Sequence, residues 1–173
     1  VISRLHSLGQ THVMLIEKEW QGADLADIVR SEMAPFTGRV QVEGLPLTLG
    51  ARAAEDFALA LHELATNAAK YGALSSATGR VHISWSKVAL DGSERFIFRW
   101  REAGGPPVSP PTEKGFGSAV LEQLMAEHFD VPPRMEFAIE GLCYELIGSL
   151  DALHDSEGAE HSPAGGEVRA AMG

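Results

Sequence analysis

The chain predicts a two-layer α/β sandwich: a mixed, largely antiparallel sheet with helices on one face, preceded by a helical appendage. Three observations carry that prediction. Residues from about 51 to 71 are rich in Ala and Leu with no Pro or Gly to interrupt them, so they read as one long helix. Two stretches, 81–100 and 135–146, each alternate apolar and polar residues on either side of a glycine-bearing turn, the pattern of hairpins with one buried face. Val1, Leu5, Leu8, His12 and Leu15 recur at spacings of four and three, a short heptad seam that expects a partner helix.

In chain order, that seam runs to Glu17-Lys18-Glu19-Trp20, where Trp20 is expected to pack at a corner and Gly22 breaks the pattern. Asp24 can cap a second helix that ends before Pro35. Arg39 to Glu43 alternates as a short strand, and Leu45 to Leu49 follows as a second extended piece. The long helix comes next. On a 100° wheel Phe57, Leu61, Leu64, Ala65 and Ala68 form its core stripe, while Asp56, Glu63, Asn67 and Lys70 line the other side. Gly72 is expected to stop it in the left-handed conformation. Val81, Ile83 and Trp85, the turn Asp91-Gly92, then Phe96, Phe98 and Trp100 make the first hairpin. Residues 103–115 hold Pro pairs and glycines that exclude helix and sheet interior, so they form a stiff loop. Ser118 to Phe129 returns to helical spacing, with Val120, Leu121, Leu124 and Met125 on one face, and Pro132-Pro133 ends it. Met135, Phe137 and Ile139, the turn at Gly141, then Leu142, Tyr144 and Leu146 make the second hairpin. Residues 151–173 show no sustained period and read as a weakly packed tail. The division is thus 1–34 helical appendage and linker, 35–150 sandwich, 151–173 tail.

Composition narrows the function. A net charge of −10 over 173 residues argues against a broad nucleic-acid footprint and leaves room for one small phosphorylated ligand. The lone Cys143 cannot form an internal disulfide, and neither a signal peptide nor an apolar run of membrane-spanning length is present, so a cytoplasmic location without membrane contact is expected. The first residue is Val, and the chain is read as a fragment of something larger.

Three separated elements ask for one explanation. On the long helix, Glu63, Asn67 and Lys70 align an acid, a carboxamide and an ammonium at i, i+4 and i+7, close enough to converge on one ligand. Asn67 offers a neutral oxygen for a hard divalent cation such as Mg²⁺, Lys70 a point charge for phosphate, and Tyr71 an aromatic surface for a base. At a strand end, Trp100-Arg101-Glu102-Ala103-Gly104-Gly105 places a carboxylate that can accept from an exocyclic amino group, beside glycines that let backbone approach a ring. Opening a helix, Gly115-Phe116-Gly117-Ser118 presents free N–H groups to phosphate. Together they describe a purine nucleotide site with Mg²⁺. Taken singly each has a bland reading: a solvated helix face, a surface turn, and a tight helix entry relieved by glycine.

The run His62-Glu63-Leu64-Ala65-Thr66-Asn67-Ala68-Ala69-Lys70-Tyr71-Gly72-Ala73-Leu74-Ser75, with Trp100-x-Glu102 and Gly115-Phe116-Gly117-Ser118, resembles the ATP-binding domain of the HWE histidine kinases. These are two-component sensor kinases of the Bergerat-fold ATPase class. The resemblance covers about residues 1–148, because the first segment is similar to the family's second dimerisation helix and its link to the ATP domain. It implies ATP and Mg²⁺ as ligands, with Asn67 on the metal, Lys70 on the phosphates and Tyr71 lining the pocket. Glu63 would orient or activate the attacking nucleophile, and Glu102 would hold the adenine amino group. Gly104, Gly105, Gly115, Phe116, Gly117 and Ser118 would shape the pocket and its phosphate side. His62 points about 100° away from the Glu63–Asn67 line and is a family marker with a scaffold role. His12 is read as a packed seam residue. The implied partners are a phosphoacceptor His helix, upstream or on a second chain of a homodimer, and a response-regulator receiver domain.

Two departures stand beside the resemblance. The loop between the glycine boxes is short and Pro-rich where ordinary sensor kinases carry a longer lid, and nothing matches the first dimerisation helix with its phosphoacceptor. The fragment is therefore expected to bind nucleotide without autophosphorylating alone. A non-catalytic adapter of the same fold, or an ATPase or Ser kinase acting on a separate protein, are the other classes the residues allow.

Overall fold

The computed structural model describes residues 22–154. The heptad seam with His12, the corner at Trp20 and the tail from residue 155 lie outside them.

The first described element is a two-residue strand, β1 (Ala23–Asp24), which pairs antiparallel with β3 (Thr48–Leu49). Asp24 does cap the next helix: its Oδ1 accepts from the Ala26 N–H at 2.8 Å, and α1 runs Leu25–Met33. Pro35 then ends the regular helix in a 3-10 turn, Ala34–Phe36. β2 (Val40–Gly44) is followed by the long helix α2 (Ala51–Lys70). Every residue of its expected core stripe, Phe57, Leu61, Leu64, Ala65 and Ala68, is buried.

β4 (Arg80–Leu90) and β5 (Ser93–Ala103) form the first hairpin, turned by Asp91 and Gly92 at φ 51° and 78°. Two successive positive φ values match the right-handed strand twist, which explains the Asp-Gly pair. β6 (Arg134–Ala138) and β7 (Gly141–Gly148) form the second. The five strands line up as β2-β4-β5-β7-β6, parallel only between β2 and β4. Helices cover one face. Phe57 of α2 meets Phe96, Phe98 and Phe129 edge-on at 6.5, 5.5 and 6.3 Å, contacts worth about 1 kcal/mol each beyond the area they bury.

Four expectations need correction. Gly72 does not end α2 in the left-handed region; its φ is −109°, and the glycine is required for a different reason given below. The segment expected as one helix from Ser118 is a chain of short turns: α3 (Phe116–Ala119), a π-helical turn (Val120–Leu124) and a 3-10 turn (Met125–His128). Ladder irregularity frees carbonyls, and the buried Tyr144 hydroxyl donates to one of them, Leu121 O, at 2.7 Å. Burial pushes that phenol well above the usual tyrosine range. Ile139 is no strand residue: it sits in the β6–β7 turn, 94% exposed. The chain also stays packed past residue 150, since Leu153 is fully buried in a 3-10 turn and its carbonyl accepts from the Gly50 N–H, the uncapped start of α2.

Candidate nucleotide site

Helix geometry puts Arg52, Asp56, Glu63, Asn67 and Lys70 on one line along α2. The turns after Gly115 run back along that line. Arg52 pairs with Glu127, the buried His128 places Nε2 2.6 Å from Oδ2 of the half-buried Asp56, and Gly117 rests over Glu63. A Cβ on Gly117 would stand 2.7 Å from Glu63 Oε2, so the glycine is what lets this segment close onto the carboxylate. Glu63 is thereby 1% exposed, not solvated as an amphipathic face would have it. Beyond it the line opens. Among the described residues Asn67 and Lys70 make no side-chain hydrogen bond or ion pair, and Tyr71 is 71% exposed. In the same region Phe116 is exposed, Ser118 is half-buried, and a side chain at Gly115 would meet nothing.

The second element meets the C-terminal end of the same helix. Strand alternation turns Trp100 and Glu102 toward the helices, and Glu102 is 5% exposed. Its Oε2 accepts from the Ala73 N–H at 2.8 Å and its Oε1 from the Trp100 indole N–H at 3.0 Å. Burial raises its pKa, and the two donors, Ala73 first, partly oppose the shift. Here lies the reason for Gly72: a Cβ there would come within 2.1 Å of Glu102 Oε2. Gly105 similarly admits Ala73, whose Cα would lie 2.4 Å from an added Cβ, and Gly104 takes φ +73°.

Residues not anticipated from the sequence hold this corner. The Arg39 guanidinium donates to the carbonyls of Ala73, Leu74, Ser76 and Gly79, tying down the loop after α2. The Ser76 and Thr78 hydroxyls both donate to Gly104 O at 3.1 Å, joining that loop to the glycines. Glycines at 72 and 79 bracketing the loop were the only local hint. His62, as expected, faces elsewhere: its Nδ1 is 3.4 Å from Glu32 Oε2 on α1, so it braces one helix against the other.

The three sequence elements therefore meet on the C-terminal half of α2. The described residues contain no cluster of three or more His, Cys, Asp or Glu able to cage a metal. The donor set, a carboxamide with spare capacity beside a buried carboxylate, fits a Mg²⁺ that takes its remaining ligands from phosphate and water. A separate groove of about 580 Å³, lined by Arg39, Arg80, His82 and Arg101, opens elsewhere and includes none of the expected site residues. Two of its arginines are already spent on loop carbonyls.

A family model described as HWE histidine kinase matches residues 1–46. The chain is 36% identical over 166 residues to the blue-light-activated histidine kinase of Brucella anthropi, covering 89% of this chain and 34% of the relative. It is 36% identical over 151 residues to that of Brucella ovis, covering 85% and 31%. The chain thus spans about a third of the curated relatives it matches. Among solved structures, the Erythrobacter litoralis blue-light activated histidine kinase superposes with a TM-score of 0.62 at 20% identity, over 86% of this chain and 48% of that one. The Acinetobacter baumannii histidine kinase AdeS gives 0.55 at 17%, over 87% and 79%. The architecture is that of histidine kinase catalytic domains. No helix among the described residues is long and apolar enough to cross a membrane.

Proposed function

Because this chain belongs to the HWE histidine kinase family, we propose that it is the ATP-binding catalytic module of a sensor histidine kinase. It binds ATP with Mg²⁺ on the C-terminal half of α2 and passes the γ-phosphoryl to a His on a helix of an upstream segment or of a partner chain. A response-regulator Asp receives it next. The reading is supported above all by one observation: Glu63 lies under Gly117 while Glu102 closes on Gly72 and Ala73, so three distant motifs share one helix end.

The roles follow from chemistry. Glu102 accepts from the adenine amino group, and Tyr71 supplies a face for the base. Gly104 and Gly105 let backbone approach the ring. Lys70 meets phosphate as a point charge, and backbone N–H groups across Gly115, Phe116, Gly117 and Ser118 meet the phosphate tail. Asn67 would hold Mg²⁺, which when bound neutralises phosphate charge. Glu63, one turn before Asn67, orients the attacking imidazole. Transfer breaks the bridging P–O bond, with ADP leaving, and forms a P–N bond. Positioning and charge stabilisation supply the rate.

Isothermal titration of ATP with Mg²⁺ into the chain should give saturable binding. A longer chain that includes the preceding helices should autophosphorylate, and Asn67→Asp should abolish Mg-dependent transfer. Retained transfer in that variant removes Asn67 from the site, and no ATP binding by the wild type leaves an adapter of the same fold.

A further inference from the structure

A carboxylate is acceptor-only and rotates about its last torsion, so one donor fixes a point and two fix a plane. Glu102 has two, one on each oxygen and from different parts of the fold: Ala73 N–H in the loop after α2, and Trp100 Nε1–H two residues back on β5. The Trp100 ring is itself enclosed by packing. It is fully buried, with Ile83 opposite on β4 and Tyr144 opposite on β7, and Tyr144 is pinned through its hydroxyl to Leu121. Space beside the carboxylate is kept by Gly72, where a Cβ would meet Oε2 at 2.1 Å, and Gly141 lies against the backbone of Glu102, where a Cβ would meet its carbonyl oxygen at 2.5 Å. Two hydrogen bonds leave about half of the four lone-pair sites of the carboxylate unused, in directions the two donors set.

We propose that Trp100 is a positioning residue for nucleobase selectivity, its indole N–H holding Glu102 in the one orientation from which the remaining lone pairs receive an exocyclic amino group. The inference rests on the reading that Glu102 meets adenine. An indole that merely found a buried acceptor would leave selectivity untouched. The same hydrogen bond opposes the burial that raises the Glu102 pKa, so the indole favours the ionised, acceptor-only form of the carboxyl.

The test uses the full chain with Trp100→Phe, which removes the donor, and with 3-benzothienyl-alanine at position 100, which keeps the bicyclic shape without the N–H. ATP and purine riboside triphosphate, which lacks the amino group, are titrated in turn with Mg²⁺ present, and the Glu102 carboxyl is followed by ¹³C NMR against pH. Expected is a loss of about tenfold in ATP affinity with little change for the analogue, and a Glu102 midpoint moved upward, in at least the isosteric variant. Equal losses for both nucleotides, or an unchanged ratio in a variant that melts like wild type, overturn the proposal. If the wild type binds no ATP, the functional reading falls first. The NMR midpoint still decides the Trp100–Glu102 link, because an unmoved midpoint removes it.

Discussion

The two ends of the polar line on α2 are built from similar residues and treated in opposite ways. At the N-terminal end Arg52 and Asp56 are consumed by Glu127 and His128, the last of these buried. At the C-terminal end Asn67 and Lys70 have no side-chain partner among the described residues, and Tyr71 stands in solvent. Glu63 lies at the boundary, covered by Gly117. A helix face is thus divided by what packs on it: where the turns from Gly117 to His128 lie down, polar residues stabilise, and where those turns end, polar groups are left for a ligand.

That contrast can be broken by exchanging its consequences. The largest effect expected is from His128→Ala, which removes a buried ring, leaves the half-buried Asp56 without its partner and should cost about 3 kcal/mol by urea denaturation while leaving ATP affinity within twofold. A large affinity change would mean that the closed end belongs to the site. Asn67→Ala should do the reverse: ATP·Mg affinity falls about a hundredfold, roughly 2.7 kcal/mol, with the melting temperature unchanged. If the protein instead melts early, Asn67 is structural. Gly72→Ala should lower stability by about 2 kcal/mol, because the new methyl group meets the Glu102 carboxylate, and Glu102→Ala in the same chain should restore much of it.

A pH effect sharpens the comparison further. The folded chain holds the Glu102 proton more tightly than the unfolded chain does. The unfolded chain therefore loses that proton first as pH rises, and stability falls between the ordinary carboxylate range and the raised folded value. Glu102→Gln should flatten this part of the pH profile. ATP binding should weaken on acidification through the same raised midpoint. The smallest change is expected from Arg52→Ala: its pair with Glu127 is exposed, so the loss should stay under about 1 kcal/mol and shrink with added salt.

Much of the fold was legible because its signals are local. The 51–70 helix, both hairpins and the Asp-Gly turn follow from periodicities of 3.6 and 2 and from one pair of positive φ values. The helix after Gly115 was legible as helical but not as three kinds of turn, since the Tyr144 hydroxyl that takes the Leu121 carbonyl lies 23 residues away. At Gly72 the pattern points to the right residue type through a different cause. A glycine after a helix usually marks a left-handed stop, and nothing nearby announces a carboxylate 30 positions on that needs the room.

The site divides along the same line. The amino-acid sequence by itself determined which side chains share a helix face, that Trp100 and Glu102 point the same way, and that Gly115 to Ser118 open a helix, because spacing along one regular element dictates direction. Only the tertiary structure decided that Glu63 is buried and Asn67 is not, that Arg39 governs a loop 34 to 40 residues away, and that Asp56 is spent on His128 at a separation of 72. Those outcomes depend on the strand order β2-β4-β5-β7-β6 and on where the turns after Gly115 come to rest. Burial is a property of what arrives from elsewhere in the chain, and no periodicity encodes it.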